Sequence, residues 1–139
     1  IEVLNTIIDT KEEMSAHEIL QKAKEMTQVD RDFLYRCTES VNKHLADVEY
    51  SHQIMMQEVG ASHATLYRKL KAMTGMDATT YIRSIRMRAA CQILANEPNI
   101  RINELAERVG YSNPRYFSTC FKKEFGVTPR EYNNEQLAK

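Results

Sequence analysis

The stretch VGASHATLYRKLKAMTG, residues 59–75, has a second version in VGYSNPRYFSTCFKKEFG, residues 109–126. Val59 and Gly60 align with Val109 and Gly110, and Ser62 with Ser112. The second copy then carries one extra residue. Beyond it Leu66 aligns with Phe117, Leu70 with Phe121, Lys71 with Lys122, Gly75 with Gly126 and Tyr81 with Tyr132. Each copy reads as a short helix, a glycine, a capping serine and a second helix with an inward apolar stripe. That is a helix-turn-helix pattern. The glycine permits a left-handed backbone at the sharp turn. The cap satisfies amide donors at the start of the second helix. The stripe docks that helix and leaves its other face to solvent.

The outward face is basic in both copies. The first carries Ala64, Tyr67, Arg68 and Lys71, with Lys69 nearby, and helix 62–74 has no acidic residue. The second shows Arg115, Tyr116, Thr119, Lys122 and Lys123. A major groove admits such a helix, and arginine bonds a guanine edge in bidentate fashion. A single helix–glycine–helix corner is common in all-α proteins, and a basic face is commonly only solvated. Two copies in register carry the reading. Between them a helix over residues 78–96 is expected. At about 1.5 Å per residue it is ~27 Å long, enough to hold two reading heads about one DNA turn, ~34 Å, apart.

The rest of the chain also reads as helix, with little β signal. Phe33, Leu34, Cys37, Val41 and Leu45 fall at helical spacing over 33–46. Ser51 is a candidate cap for a helix ending at Gly60, with Ile54, Met55 and Val59 inward. Helix 78–96 offers Ile82, Ile85, Ala89 and Ile93 as its buried stripe and ends at Asn96-Glu97-Pro98. INELAERVG, 102–110, is a short helix. Ser112 or Asn113 caps the next, Pro114 suits its first turn, and Phe117, Phe121 and Phe125 face inward. A last short helix starts at Pro129. IEVLNTIID and SAHEILQKAKEM each suggest a short amphipathic helix, and TQVDRD, 27–32, a linker or turn.

The 139 residues carry no net charge, yet the charge is divided. Residues 1–49 hold 6 Lys/Arg against 11 Asp/Glu, and residues 50–139 hold 13 against 8. A basic binding part behind an acidic segment is expected. No apolar run is long enough to span a membrane, no signal-peptide pattern opens the chain, and a chain starting at Ile1 is expected to be a piece of something longer. Cys37, Cys91 and Cys120 have neither metal-knuckle nor CxxC spacing and read as reduced buried thiols of a cytosolic protein. His17, His44, His52 and His63 lack metal-ligand spacing and read as surface or cap residues. The seven methionines suit core packing better than a soft peptide groove. Arg83, Arg86 and Arg88 on the long helix are candidates for phosphate contact; Arg86 pairs either with phosphate or with an acid inside the domain. No catalytic arrangement, cofactor site or metal site suggests itself.

On these residues the chain resembles the DNA-binding domain of AraC/XylS-type transcription activators, over about 33–133. INELAERVGYSNPRYFSTCFKKEFGVTPREY is similar to the signature stretch of that family, and LYRKLKAMTG and YIRSIRMRAACQIL are similar to its first recognition helix and linker helix. The resemblance implies an all-α fold with two homeodomain-like helix-turn-helix subdomains, about 51–75 and 102–126, joined by the linker helix 78–96. A helical linker segment, 1–32, precedes the DNA-binding domain, 33–139. Each helix-turn-helix enters one of two successive major grooves on one DNA face. By position, base-facing places fall on Ala64, Tyr67 and Arg68, and on Pro114, Arg115, Tyr116 and Thr119. Phosphate-facing places fall on Ser62, His63, Lys71, Ser112, Asn113 and Lys122. Met55-Met56 replaces the usual Leu-Ala core pair, Ala64 offers only a methyl, and Pro114 offers no side-chain hydrogen bond. Base reading in the second unit then rests on Arg115 and Thr119. VDRDFLYRCTESVNKHL and LYRKLKAMTG look most like the output domains of two-component response regulators or hybrid sensor kinases that control carbohydrate use. The implied partners are double-stranded DNA, RNA polymerase, and a second copy held through a domain outside this sequence, in the cytoplasm and without membrane contact. The competing class is a helical module that contacts the transcription machinery without reading DNA.

Overall fold

The computed structural model describes residues 27–138, and the helices expected before Thr27 lie outside them. The described residues form seven helices and no strand: α1 Gln28–Lys43, α2 His52–Val59, α3 His63–Thr74, α4 Ala78–Asn96, α5 Ile102–Arg108, α6 Pro114–Phe125 and α7 Pro129–Ala138. The expected turn at 27–32 is instead the first turn of α1. Thr27 Oγ1 accepts the Asp30 amide at 3.1 Å, and the Thr27 carbonyl accepts the Arg31 amide. A threonine cap with an acid in the first turn suits a helix start, which the apolar spacing from Phe33 onward did not reveal.

The chain divides into two compact units. The first holds α1, α2, α3 and α4 up to Ile85; the second holds residues 44–50, α4 from Arg86, and α5, α6 and α7. Helix α4 therefore serves twice. Its expected stripe is not continuous. Tyr81, Ile82 and Ile85 are buried in the first unit, whereas Met87, Ala90 and Leu94 are buried in the second. Ala89 and Ile93 sit half-buried at the margin of the second core. A helix that packs into two different cores has two different inner faces, so no single 3.6-residue stripe describes it.

The first core is aliphatic and sulfur-rich: Leu34, Cys37, Val41, Met55, Leu66, Leu70 and Met73 are buried beside Phe33 and Tyr81. Met55 is fully buried and Met56 half-buried, so the unusual pair still fills the core. Burial raises the Cys37 thiol pKa to about 12, which keeps it protonated. The buried Tyr81 hydroxyl is bonded to Thr38 Oγ1 at 2.5 Å, and Ser40 Oγ donates to Glu58 at 2.8 Å, tying α1 to α2. The second core is aromatic. Phe121 lies 6.0 Å from Phe117, 4.7 Å from Phe125 and 5.7 Å from Tyr132, ring centre to ring centre. Asn133 Nδ2 donates to the Pro98 carbonyl, tying α7 to the end of α4.

The repeat is longer than the helix-turn-helix phrases. Asp77 caps α4 by accepting the Thr80 amide at 2.9 Å. Its counterpart Thr128 caps α7 through the Glu131 amide, and Glu131 reciprocates on the Thr128 amide at 3.0 Å. Tyr81 and Tyr132 each follow one residue later.

Candidate nucleic-acid interface

Both second helices of the repeat have one sunken and one open face. In α3, Leu66, Leu70 and Met73 are buried, while Ala64, Tyr67, Arg68 and Lys71 are exposed. In α6, Phe117, Cys120 and Phe121 are buried, while Arg115, Tyr116, Thr119, Lys122 and Lys123 are exposed. Tyr67 and Tyr116 stand out, 50% and 58% exposed despite their large apolar rings. Pro114 is half-buried at the first position of α6.

The two helix starts differ. Ser62 Oγ accepts the Thr65 amide at 3.2 Å, as expected for a cap. At α6 the open choice resolves to Asn113, whose Oδ1 accepts the amides of Arg115 at 2.9 Å and Tyr116 at 3.1 Å. Ser112 is exposed and takes no part in that cap. The Asn113 NH2 donors are not used by the cap, so they suit an anion at the helix N-terminus. Ser51 occupies the cap position of α2 without a side-chain bond. Thr119 Oγ1 donates to the Arg115 carbonyl at 3.1 Å, which leaves its oxygen as an acceptor.

Two basic residues leave the expected surface. Lys69 Nζ lies 4.7 Å above the Phe33 ring, so it packs on α1 rather than joining the exposed face. Arg86 is buried, and its hydrogen bonds go to backbone carbonyls, with the Asp47 carboxylate acting on it only through its charge. It donates to the carbonyls of Gly110 at 3.2 Å and Asp47 at 2.8 Å, because α4 turns it inward in the second unit. Burial holds its pKa below the ordinary arginine value, opposed by Tyr111, Tyr50 and Asp47.

His52, read from the sequence as a surface or cap residue, joins this surface. His52 stands edge-on to His63, ring centres 5.6 Å apart. With Leu66, Tyr67, Asp77, Ala78 and Thr79 the pair lines a recess of about 260 Å³ beside α3. His52 and His63 are 11 positions apart in sequence, and only the fold of the turn brings them together. Among the described residues there is no cluster of His, Cys, Asp and Glu able to hold a metal, and no helix long and apolar enough to cross a membrane.

Residues 55–135 match the family described as "Helix-turn-helix domain". The chain is 33% identical over 109 residues to Histidine kinase P4 of Formosa agariphila, covering 78% of this chain and 8% of the kinase. It is 32% identical over 88 residues to the HTH-type transcriptional activator RhaS of Escherichia coli, covering 63% of this chain and 31% of RhaS. It thus spans less than a third of the length of these curated relatives. Among solved structures, the C-terminal domain of AraT, a response regulator from Geobacillus stearothermophilus, matches with TM-score 0.68 and 30% identity, over 80% of this chain and 88% of that one. A DNA-binding transcriptional dual regulator of Escherichia coli K-12 shares the fold at TM-score 0.67 and 24% identity, over 75% of this chain and 91% of that one. With two copies of the turn in place and a family match over more than half its length, the chain belongs to the AraC-type helix-turn-helix family of DNA-binding transcription regulators.

Proposed function

We propose that α3 and α6 are recognition helices that enter successive major grooves of double-stranded DNA. The single observation that carries this reading is the matched open face of the two helices, with Tyr67 and Arg68 on one and Arg115 and Tyr116 on the other. Arg68 in the first unit and Arg115 with Thr119 in the second are the principal base readers, Tyr67, Tyr116 and Ala64 add shape and apolar contact, and Pro114 fills space. Ser62, His63, Lys71, Ser112, Asn113 and Lys122 meet phosphates, joined by His52. Phosphate contacts set register and base contacts set sequence.

The domain acts as the output end of a phosphorylation-controlled regulator. The named relatives support this, one a histidine kinase and another the C-terminal domain of a response regulator. Control of carbohydrate use rests on the sequence resemblance alone. In this reading the domain works in the cytoplasm, contacts RNA polymerase, and gains avidity from a second copy held by another part of the protein, because linking two weak binders raises effective concentration.

The test is site selection from a random duplex library, first with the chain as it is and then with Arg68→Ala. The variant is expected to lose about 1–3 kcal/mol of specific binding and the base preference of one half-site. An unchanged preference removes Arg68 from the base readers. A salt titration separates this reading from a protein-only module, since neutralising ~6 phosphates costs roughly 10³-fold in affinity between 50 and 200 mM salt.

A further inference from the structure

We infer that Arg36 and Arg86 are positioning residues: each holds a carbonyl in the turn of one helix-turn-helix and so sets the pose of the recognition helix that follows. The inference rests on the DNA-reading function proposed above.

The two arginines are 50 positions apart, the same offset that relates Val59 to Val109, Gly60 to Gly110 and Ser62 to Ser112. Neither belongs to a helix-turn-helix; Arg36 lies on α1 and Arg86 on α4. Arg36 Nη1 donates to the Val59 carbonyl at 3.0 Å. Arg86 Nη1 donates to the Gly110 carbonyl at 3.2 Å, and its Nη2 to the Asp47 carbonyl at 2.8 Å. Carbonyls at a helix C-terminus have no partner within the helix and carry partial negative charge, so a guanidinium suits them. Val59 closes α2, and Gly110 lies one position past Val109, its counterpart, so the two arginines bond neighbouring carbonyls, not the same one, at the entry to each turn, both from outside the motif.

Arg86 is costly where it sits. It is buried, its hydrogen bonds go to backbone carbonyls, and among the described residues its Nε has no hydrogen-bond partner. An apolar side chain of similar volume would fill the space without desolvating a charge. What the arginine adds is geometry. Its flat group lies 5.9 Å from the Tyr50 ring and 6.0 Å from the Tyr111 ring. Tyr111 directly follows the turn glycine, and its ring packs 5.5 Å from Phe117 and 6.0 Å from Tyr116 of α6. A chain of packed groups therefore runs from Arg86 through Tyr111 to the exposed face of the recognition helix. In the first unit Ala61 follows the glycine, and Arg36, itself exposed, meets the Val59 carbonyl and the Phe33 ring at 5.8 Å. The second unit should depend on its arginine more.

The experiment repeats the site selection with Arg36→Gln, Arg86→Gln and Arg86→Lys in the intact chain. Melting temperatures and the amide resonances of residues 59–67 and 109–116 are recorded alongside. Arg68→Ala and Arg115→Ala mark which half-site each helix reads. Arg86→Gln is expected to erase base preference only in the half marked by Arg115→Ala and to lower specific affinity roughly tenfold or more. Arg86→Lys, which cannot serve both carbonyls with one flat group, should fall between. Arg36→Gln should fold as the wild type does and weaken preference, by about threefold, only in the other half. A chain with Arg86→Gln or Arg86→Lys that melts lower yet keeps both preferences overturns the inference, leaving Arg86 as filler. So does an Arg36→Gln chain whose preferences and turn resonances are those of the wild type. If the wild-type chain selects no sequence, the DNA-reading function falls and the positioning role with it, a result distinct from either of these.

Discussion

A methyl group added at Gly60 would meet nothing within 4 Å; one added at Gly110 would lie 2.6 Å from Arg86 Cζ and 2.7 Å from the Leu45 carbonyl oxygen. Both glycines sit at the same place in the repeat, and both have positive φ, +68° and +86°. Local sequence asks the same of them, a left-handed turn. The surroundings do not. The first turn is open on its outer side, with a single arginine bond to the Val59 carbonyl. The second is closed by Arg86, Tyr50 and Tyr111, with residues 44–50 folded against it. The cores follow suit, with methionines and aliphatics in the first unit and an aromatic cluster around Phe121 in the second. One motif can thus be supported by a flexible, adaptable core or by a stiff one.

The largest expected effect is on the aromatic side. Phe121 is fully buried between Phe117, Phe125 and Tyr132. Phe121→Ala should cost ~3–5 kcal/mol and loosen the second unit. Denaturant unfolding measures it. A variant that melts normally but fails to bind DNA would show that the aromatic cluster is not what stabilises this unit.

The glycines come next and test the contrast directly. Gly60→Ala carries only the left-handed backbone penalty, about 1–2 kcal/mol. Gly110→Ala adds overpacking against Arg86 and a backbone carbonyl, for a total of about 2–5 kcal/mol. Equal losses in the two variants, read by thermal melting, would mean that the second turn yields as easily as the first.

The smallest effect concerns the paired caps. The Asp77 carboxyl pKa is lowered from its ordinary value of 3.8, chiefly by the Thr80 amide. The unfolded chain then binds the proton more readily than the folded one. The cap's contribution is complete above the ordinary value and is lost as pH falls through the lower, folded value. Asp77→Ala should cost about 1 kcal/mol or less at neutral pH, since the site is exposed and screened. It should also flatten the acid limb of the stability curve, whereas the matching Thr128→Ala leaves the carboxylate of Glu131 to titrate. An acid limb unchanged by Asp77→Ala removes that cap as a source of acid sensitivity.

Much of the architecture was legible in the sequence by itself. Helix stops at Gly60, Gly75 and Gly126, the caps at Ser62 and in Ser112-Asn113, and the bounds of α4 all follow from local backbone chemistry and were read from neighbouring residues. The outward faces of α3 and α6 were legible too, because a 3.6-residue period sorts one helix into two sides without knowledge of its neighbours. Tertiary structure decided the rest. It drew Lys69 onto Phe33, brought His52 to His63, chose Asn113 over Ser112 as the cap, and split the inner face of α4 between two cores. It also gave Arg86 carbonyl partners 24 and 39 positions away. Those outcomes depend on which distant groups arrive at the same point in space. Periodicity and capping describe what a segment can do by itself; burial of a charge or a ring depends on what packs over it.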